Sequence, residues 1–289
     1  MPDLLRDLIE RQDWFDPPDM VTVGPRHVVG PGPGAEQLIV QFLLDRGWRQ
    51  SEDRLTRHCG RLGVHRPDKA RHEWTLWGAQ HRGAEIAWSL TVQAALPPEI
   101  LAATIAEAEA VLAEAPDPRE PFVRGILALG LLPLARAGWT DDITPRGAVT
   151  FRPPDRYANA HVTVPSALHE LRGKPAATIA SYGPNSYWEA HFTAGTPSRV
   201  LAAFTRELAS PQPLLRTSAV RELTFSAKLF TINAFVPEAG EQLSPAAQAA
   251  RSRSTTPVPA PVAAATGSAT PPADAARVAA EAEPSGRSR

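Results

Sequence analysis

The residues best suited to chemistry lie between positions 58 and 81, where several histidines accompany the single cysteine of the chain. Imidazole and thiolate groups are the ligands that zinc prefers. Their spacing fits no closed zinc motif, so ordinary strand histidines are the better interpretation. A cysteine nucleophile with a histidine base is a second interpretation, but no Gly-x-Ser-x-Gly, HExxH or P-loop motif supports it. No catalytic residue, metal or cofactor is predicted from this group: His58, Cys59, His65, His72 and His81.

Carboxylates and a glycine-rich stretch give no stronger signal. Asp141 and Asp142 are predicted to lie in a loop, and Glu107 and Glu109 cannot share one side of a helix. The stretch Gly30–Gly34 precedes a helix, but its prolines lack the N–H donors that phosphate needs. It is therefore interpreted as a turn, and an acid–base pair is not predicted.

Aromatic and basic residues of the same region form a candidate binding surface. Trp74 and Trp77 fall on opposite faces of one strand-like run, so at most one of them is expected to be buried. An exposed indole beside basic side chains could stack on a base or anchor a protein partner. The predicted binding residues are Trp74, Trp77, His81, Arg82, Arg57 and Arg71.

A repeated pattern provides the firmest information on architecture. The run from Trp88 to Ile105, with a Trp, an alternating stretch, a Pro and an apolar helix pattern, recurs from Trp188 to Phe204. A Gly-Trp pair precedes each copy. Large side chains that recur at equivalent positions are expected to pack in a core. The predicted structural anchors are Trp48, Trp88, Trp139 and Trp188.

The first copy reads as a helix, three antiparallel strands and a second helix. The first helix covers 36–46 and ends at Gly47. Strand-like runs cover 55–64, 73–79 and 85–94, and a helix opens at Pro98. The second copy has a leucine-rich helix over 122–137, strand-like runs at 148–152, 161–164, 176–182 and 187–194, and a helix that starts with Thr196-Pro197.

These patterns predict an α+β fold of two related modules, each a small antiparallel sheet with flanking helices. Aromatic residues stop after Phe235, and an Ala- and Pro-rich composition cannot bury enough apolar surface to order itself. The predicted organisation is an N-terminal lead at 1–20, modules at 21–116 and 117–212, a packing segment at 213–239 and a disordered tail at 240–289.

Composition narrows the class of protein. A formal net charge of −1 removes any global attraction to nucleic acid or anionic membranes. One cysteine fits a reducing compartment. The first ten residues do not resemble a signal peptide, and the longest apolar run, Gly125 to Leu134, is too short to span a membrane. A cytoplasmic protein without membrane contact is predicted.

The chain resembles a family from high-GC actinobacteria that is built on the SPDY domain. The resemblance rests on the two Gly-Trp pairs, the Pro154-Asp155-Arg156-Tyr157 turn, the Trp strand before a helix and the start Val23–Val28. It covers roughly residues 21 to 210. Arg66-Pro-Asp-Lys69 and Pro153-Pro-Asp-Arg156 depart from the literal signature. The resemblance implies tandem domains without an established activity, and it offers no catalytic residues to transfer.

The favoured prediction is a non-catalytic intracellular protein-interaction module with an unknown protein partner. The alternative is a nucleic-acid-binding accessory protein that uses the basic and aromatic face of the first copy. An enzyme that depends on Cys59 is a third and less favoured class.

Overall fold

A computed structural model of the 289-residue chain shows the fold. It describes residues 20–32, 34–67, 70, 72–115, 126–144, 148–163, 175–183, 186–217 and 231–234, and all of these belong to one compact unit. Residues 1–19 of the predicted lead, the predicted tail and Arg71 lie outside the described residues.

The elements follow one another in chain order. The strands are β1 (Met20–Gly24), β2 (Arg49–Ser51), β3 (Arg54–Arg57), β4 (Leu62–His65), β5 (Glu73–Ala79), β6 (Ile86–Gln93), β7 (Thr140–Ile143), β8 (Val149–Arg152), β9 (Ala158–Val162), β10 (Ala177–Gly183), β11 (Ser186–Phe192), β12 (Leu214–Thr217) and β13 (Thr231–Ala234). The helices are α1 (Ala35–Asp45), α2 (Pro98–Ala113), α3 (Leu132–Arg136) and α4 (Ser198–Leu208).

Ten strands form one antiparallel sheet in the order β2-β3-β4-β5-β6-β11-β10-β9-β8-β7. The sequence-local meanders β2–β6 and β7–β11 meet at β6 and β11, where Leu90 lies opposite Phe192 and Thr91 opposite His191. The fold is therefore α+β, with a single large antiparallel sheet.

One face of this sheet is buried under helices. Trp88, Leu90 and Val92 of β6 alternate with half-buried residues, and β11 repeats the pattern with Trp188 and Phe192. These side chains belong to one hydrophobic cluster with the apolar stripes of α1, α2 and α4. Burial of such large side chains contributes about 1.5–3 kcal/mol each, so this face holds most of the core.

Both Gly-Trp pairs end a helix in the same way. Gly47 and Gly138 have φ values of 80° and 81°, which a residue with a Cβ rarely adopts. The N–H of Trp48 then bonds to the carbonyl of Leu43, and Trp139 does the same to Leu134, both at 3.1 Å. The left-handed glycine turns the chain back so that the indole covers the helix end.

Each meander has five strands, where three strand-like runs were predicted in the first copy and four in the second. The run 55–64 is divided because His58, Cys59 and Gly60 form a left-handed turn, with φ values of 53°, 57° and 81°. Edge strands β2 and β7 were not predicted, and they are fully exposed strands without apolar alternation.

Two helix predictions also need correction. The described part of the leucine-rich run is a 3₁₀ turn at Leu127–Leu131 followed by the short α3. Gly130 packs against Leu201, where an added Cβ would come within 2.7 Å, and this close approach helps to shape the turn. The later helix begins at Ser198, because the Thr196 hydroxyl donates to the carbonyl of Ser89 and does not cap α4.

A second, three-stranded sheet has the order β12-β1-β13. Val21, Val23 and Leu214 are buried in it together with Val28 and Val29. Within the described residues, no helix is long and apolar enough to span a membrane.

Candidate functional site

The candidate functional site is the face of the large sheet opposite the helices. Side chains alternate across a strand, so Ser89 and Thr91 point away from the buried Trp88 and Leu90. Strand pairing carries this alternation across the sheet. We call this surface the open face. Its side chains are largely polar and half-buried or exposed.

A row of polar residues crosses the open face, because each member lies directly opposite the next in the strand register. Neighbouring members are therefore about 4.8 Å apart along the row. We call it the central row, and in order from β3 to β7 it consists of Arg54, His65, Thr75, Thr91, His191, Thr178, His161, Thr150 and Asp142.

Hydrogen bonds orient the imidazoles of the central row. His161 Nδ1 lies 3.0 Å from Thr150 Oγ1, and its Nε2 lies 3.1 Å from the Thr163 hydroxyl. His191 Nδ1 lies 3.4 Å from Thr178 Oγ1, and its Nε2 lies 3.4 Å from Glu189. Hydroxyl and imidazole groups can both donate and accept, so the row can bond to an amide-rich surface.

Two tyrosines, Tyr182 and Tyr187, lie side by side at one end of the open face, whereas Tyr157 packs against the cluster of β1 and β12. Tyr182 is opposite Tyr187 in the register, and its N–H bonds to the carbonyl of Tyr157 at 2.7 Å. The rings of Tyr182 and Tyr187 are 5.8 Å apart, with 46% and 51% of these residues exposed. Asn159 donates to the Tyr182 hydroxyl at 3.1 Å. We call Tyr182 and Tyr187 the tyrosine pair.

The Tyr187 hydroxyl is held by a carboxylate. It donates a hydrogen bond to Glu189, and this bond raises the pKa of Tyr187 to about 12. We expect Glu189→Gln to lower this pKa towards its ordinary value of 10.0, since the acceptor charge is removed. An ultraviolet titration of tyrosinate absorbance would measure the change, with Tyr187→Phe identifying the signal. An unchanged titration in Glu189→Gln would contradict the assignment.

The charges of the open face are balanced. Strand alternation places Arg49, Arg54 and Arg152 on this face, and it also places three carboxylates there: Glu73, Glu189 and Asp142. A surface without a cationic excess lacks the sequence-independent attraction to a phosphate backbone.

The predicted binding residues of β5 are both buried. Trp74 is 4% exposed and packs in the helix-covered core. Trp77 is 9% exposed on the other side, although at most one of the two was expected to be buried. Its ring lies on Gly63, where an added Cβ would come within 2.2 Å of the indole, and 6.3 Å from the ring of His65. Gly63 makes room for Trp77, and that could not be seen in β5 alone.

The remaining predicted binding residues do not form one surface. Arg57 points to the helix side, where it pairs with Glu109 at 2.9 Å and donates to the carbonyl of Arg46. His81 and Arg82 are exposed in the turn between β5 and β6. Arg71 lies outside the described residues.

The histidine and cysteine group is divided between the two ends of β5. A bond from Ala79 N to Arg61 O places the His58–Gly60 turn at one end, and a bond from Ala94 N to His72 O places His72 at the other. The seven residues of β5 separate Cys59 from His72 by roughly 20 Å. Within the described ranges, no three potential ligands lie close enough to hold a metal ion.

Glu109 lies on the helix side of the sheet, where it binds the side chains of both Trp48 and Arg46. Its carboxylate accepts from Trp48 Nε1 at 2.6 Å and from Arg46 Nε at 2.7 Å. Glu107 instead binds Arg199 at 2.8 Å on the surface, so the two carboxylates face apart as predicted from helix geometry.

Asp141 and Asp142 lie in the edge strand β7, not in a loop. The four anchor tryptophans, Trp48, Trp88, Trp139 and Trp188, are 3%, 1%, 7% and 0% exposed.

Side-chain contacts attach the N-terminal segment to the rest of the fold. His27 Nε2 lies 2.7 Å from Asp155, and the His27 ring packs edge-on against Trp139. Burial raises the pKa of Asp155, but the bonds from His27 and the Tyr157 N–H lower it more, and the net pKa lies below its usual value. Arg26 pairs with Glu207, and its Nε donates to the carbonyl of Gln212 at 2.6 Å. These roles of the Arg-His pair were not predicted from the sequence.

The central row was not predicted either, although the sequence contained an indication of it. His161 and His191 occupy polar positions of alternating strands, but only the register between strands distant in sequence aligns them. The positions of the tyrosines gave a similar indication, since all three occur close to strand ends in the second half of the chain.

Comparisons with known proteins add one family assignment. No curated protein and no solved structure matches this chain. A family model, SPDY, matches residues 175–214, which cover β10, β11, α4 and the first residue of β12. This segment of the chain is therefore identified as an SPDY domain, a domain of unknown function (DUF317).

Proposed function

We propose that this protein is a non-catalytic interaction module that binds a protein partner across the open face. The observation that carries this proposal is a ten-stranded sheet with one face covered by helices and the other lined by polar and aromatic side chains. A broad surface of this kind presents many weak contacts but no reactive arrangement of side chains.

The chemistry of the open face suits a polypeptide. Its threonine hydroxyls, imidazoles and Asn159 can satisfy backbone N–H and C=O groups. The tyrosines add flat, amphipathic rings of the type enriched in protein interfaces. Buried hydrogen bonds across the interface would then fix the position of the partner along the row.

Nucleic-acid binding is the alternative, and it has weaker support. The basic residues expected to contact phosphates are partly engaged in ion pairs, since Arg57 pairs with Glu109 and Arg66 pairs with Glu36. The charges of the open face balance. Exposed Arg54, His81 and Arg82 favour a nucleic-acid contact, and the experiment below includes that outcome.

A tandem duplication accounts for the mirrored order of the strands in the large sheet. The sheet order is mirrored about the β6–β11 pair, and the SPDY segment β10–β11–α4 corresponds to β5–β6–α2 in the first half. We assign the modules to 21–116 and 117–212, with 213–239 packing across them through β12 and β13. The exposed thiol of Cys59, the only cysteine, favours a cytoplasmic location.

Charge introduced on the open face should abolish partner binding. The full chain and a Thr91→Arg/Thr178→Arg variant would be used as bait in extracts of the source cells, with and without nuclease. Both threonines lie near the centre of the sheet, so two arginines there would obstruct the partner and leave charges unpaired in the interface. We expect recovery of a specific protein to fall at least about tenfold, which corresponds to roughly 1.4 kcal/mol.

A matched control places the same charges on the helices. Gln37→Arg/Ala135→Arg alters exposed positions of α1 and α3 and should leave recovery unchanged. Circular dichroism would verify that both variants are folded. Equal recovery by all three baits would refute the proposal, and recovery that disappears with nuclease would support the nucleic-acid alternative.

A further inference from the structure

The large sheet ends at two exposed edge strands, β2 and β7. Every residue of both strands is exposed. Within the described residues, each of them pairs with a strand on one side only, β2 with β3 and β7 with β8. Each edge therefore presents a row of backbone N–H and C=O groups to which a further strand can bond.

The two edges carry opposite charges. β2 contains Arg49, and Arg54 lies beside it on β3, whereas β7 contains Asp141 and Asp142. None of these four side chains forms an ion pair with a described residue. Charges on an edge strand oppose its pairing with another strand, but here each edge opposes only an edge of its own sign.

The directions of the strands allow one edge to continue into the other. All neighbouring strands of the ten-stranded sheet are antiparallel, so β2 and β7, at the two ends of an even number of strands, run in opposite directions. A second copy placed beside β7 in the same orientation therefore brings its own β2 antiparallel to β7. The helices of both copies then lie on the same side of a continued sheet.

We propose that β2 of one copy of this chain pairs with β7 of a second copy, head to tail. Arg49 and Asp142 both lie on the open face, so they can face each other across the contact. In that register all of β2 pairs with β7, and Gln50 faces Asp141. Opposite charges directly across a strand pair stabilise it, whereas pairing of β2 with β2, or of β7 with β7, would bring like charges close together.

The residues around the two edges fit this contact. Ile143, the last residue of β7, is 63% exposed, and a strand added beside β7 would cover part of its side chain. Glu52 and Asp53 follow β2 in a turn outside the paired residues, where the Asp53 carboxylate lies 3.9 Å from His65. The acidic turn therefore does not place a carboxylate directly opposite Asp142.

A contact between two different edges has a consequence for assembly. Each added copy leaves one β2 and one β7 unpaired at the ends, so the contact can repeat or close into a ring. The open faces of successive copies then lie on the same side. Because few residues pair, we expect weak association, with a Kd on the order of 0.1 mM.

Sedimentation velocity of the full chain at low ionic strength, up to about 1 mM, tests the proposal. We expect the wild type to self-associate, and Arg49→Glu or Asp142→Arg alone to weaken this association at least about tenfold, because each variant sets like charges opposite each other. An equimolar mixture of the two variants should associate again. In the mixture, the reversed charges face each other in one contact and the native charges in the next.

Matched controls reverse exposed charges away from both edges. Arg206→Glu in α4 and Glu85→Arg in the turn before β6 should leave self-association unchanged, and circular dichroism would verify that all variants are folded. A monomeric wild type would overturn the proposal, as would single variants that associate like the wild type or a mixture that stays monomeric. Thr91→Arg/Thr178→Arg should still self-associate, so failure of this proposal is distinguishable from failure of the proposed function.

Discussion

Replacement of Trp188 by alanine is expected to lower the free energy of unfolding by about 3–5 kcal/mol. The residue is 0% exposed in β11, one of the two strands at which the halves of the sheet join. Its ring contacts Phe204 of α4 at 6.1 Å between centroids. The indole N–H has no hydrogen-bond partner among the described residues, so the loss comes from packing and from the cavity that remains.

Urea denaturation followed by circular dichroism would measure this loss. The matched control is Tyr187→Ala, which removes the neighbouring aromatic ring from the exposed face of the same strand. We expect that control to change stability by no more than about 0.5 kcal/mol. Similar losses for both variants would show that the two faces of β11 are not buried as described.

Replacement of Arg216 by methionine is expected to cost about 3–5 kcal/mol, because it leaves a buried carboxylate unpaired. The Arg216 guanidinium contacts both oxygens of Glu99, at 2.6 and 3.0 Å, and donates to the carbonyl of Gly30 at 3.2 Å. The two side chains are 4% and 12% exposed. Arg26 lies nearby. Burial lowers the pKa of Arg26 more than the charge of Glu99 raises it, so the net pKa lies below its usual value. This pair therefore joins β12, α2 and the N-terminal segment.

The double variant Arg216→Met/Glu99→Leu distinguishes a lost ion pair from general damage. Removal of both charges avoids the isolated carboxylate, so the double variant should be more stable than Arg216→Met alone. Denaturation of the two single variants and the double variant gives the interaction free energy between Arg216 and Glu99. If the losses of the single variants simply add, the charges do not interact and the role given to this pair is wrong.

Elements that depend on local sequence were predicted well. The residues Leu38, Ile39, Phe42 and Leu43 formed an expected apolar stripe, and all four are buried in α1. Gly47 ended that helix as expected, because a left-handed residue after the last turn is a local requirement. The strong alternation around Trp88 likewise predicted β6.

Elements that depend on distant residues were not predicted. The left-handed turn at His58–Gly60 interrupts a run that was predicted to be one strand, and two residues of this turn are not glycine. β7 contains two aspartates and was interpreted as a loop, but its pairing with β8 makes it an edge strand. Edge strands need little apolar alternation because one side lacks a neighbour.

The candidate site was predicted only in part. The sequence suggested a surface around Trp74 and Trp77, but Trp74 packs in the helix-covered core, and Trp77 lies flat on Gly63 of the adjacent strand on the other face. The central row combines residues from β3 to β11, and its members become neighbours only through strand register. A single sequence holds no direct information on that register.

Site-specific photo-crosslinking of the full chain in cells tests the account most directly. A photoreactive residue at Thr178 on the open face is compared with one at Gln37 on α1. The account predicts a nuclease-resistant crosslink to one protein partner from position 178 and none from position 37. Crosslinks from position 37 alone, or crosslinks from position 178 to nucleic acid alone, would contradict the claim that the open face binds a protein.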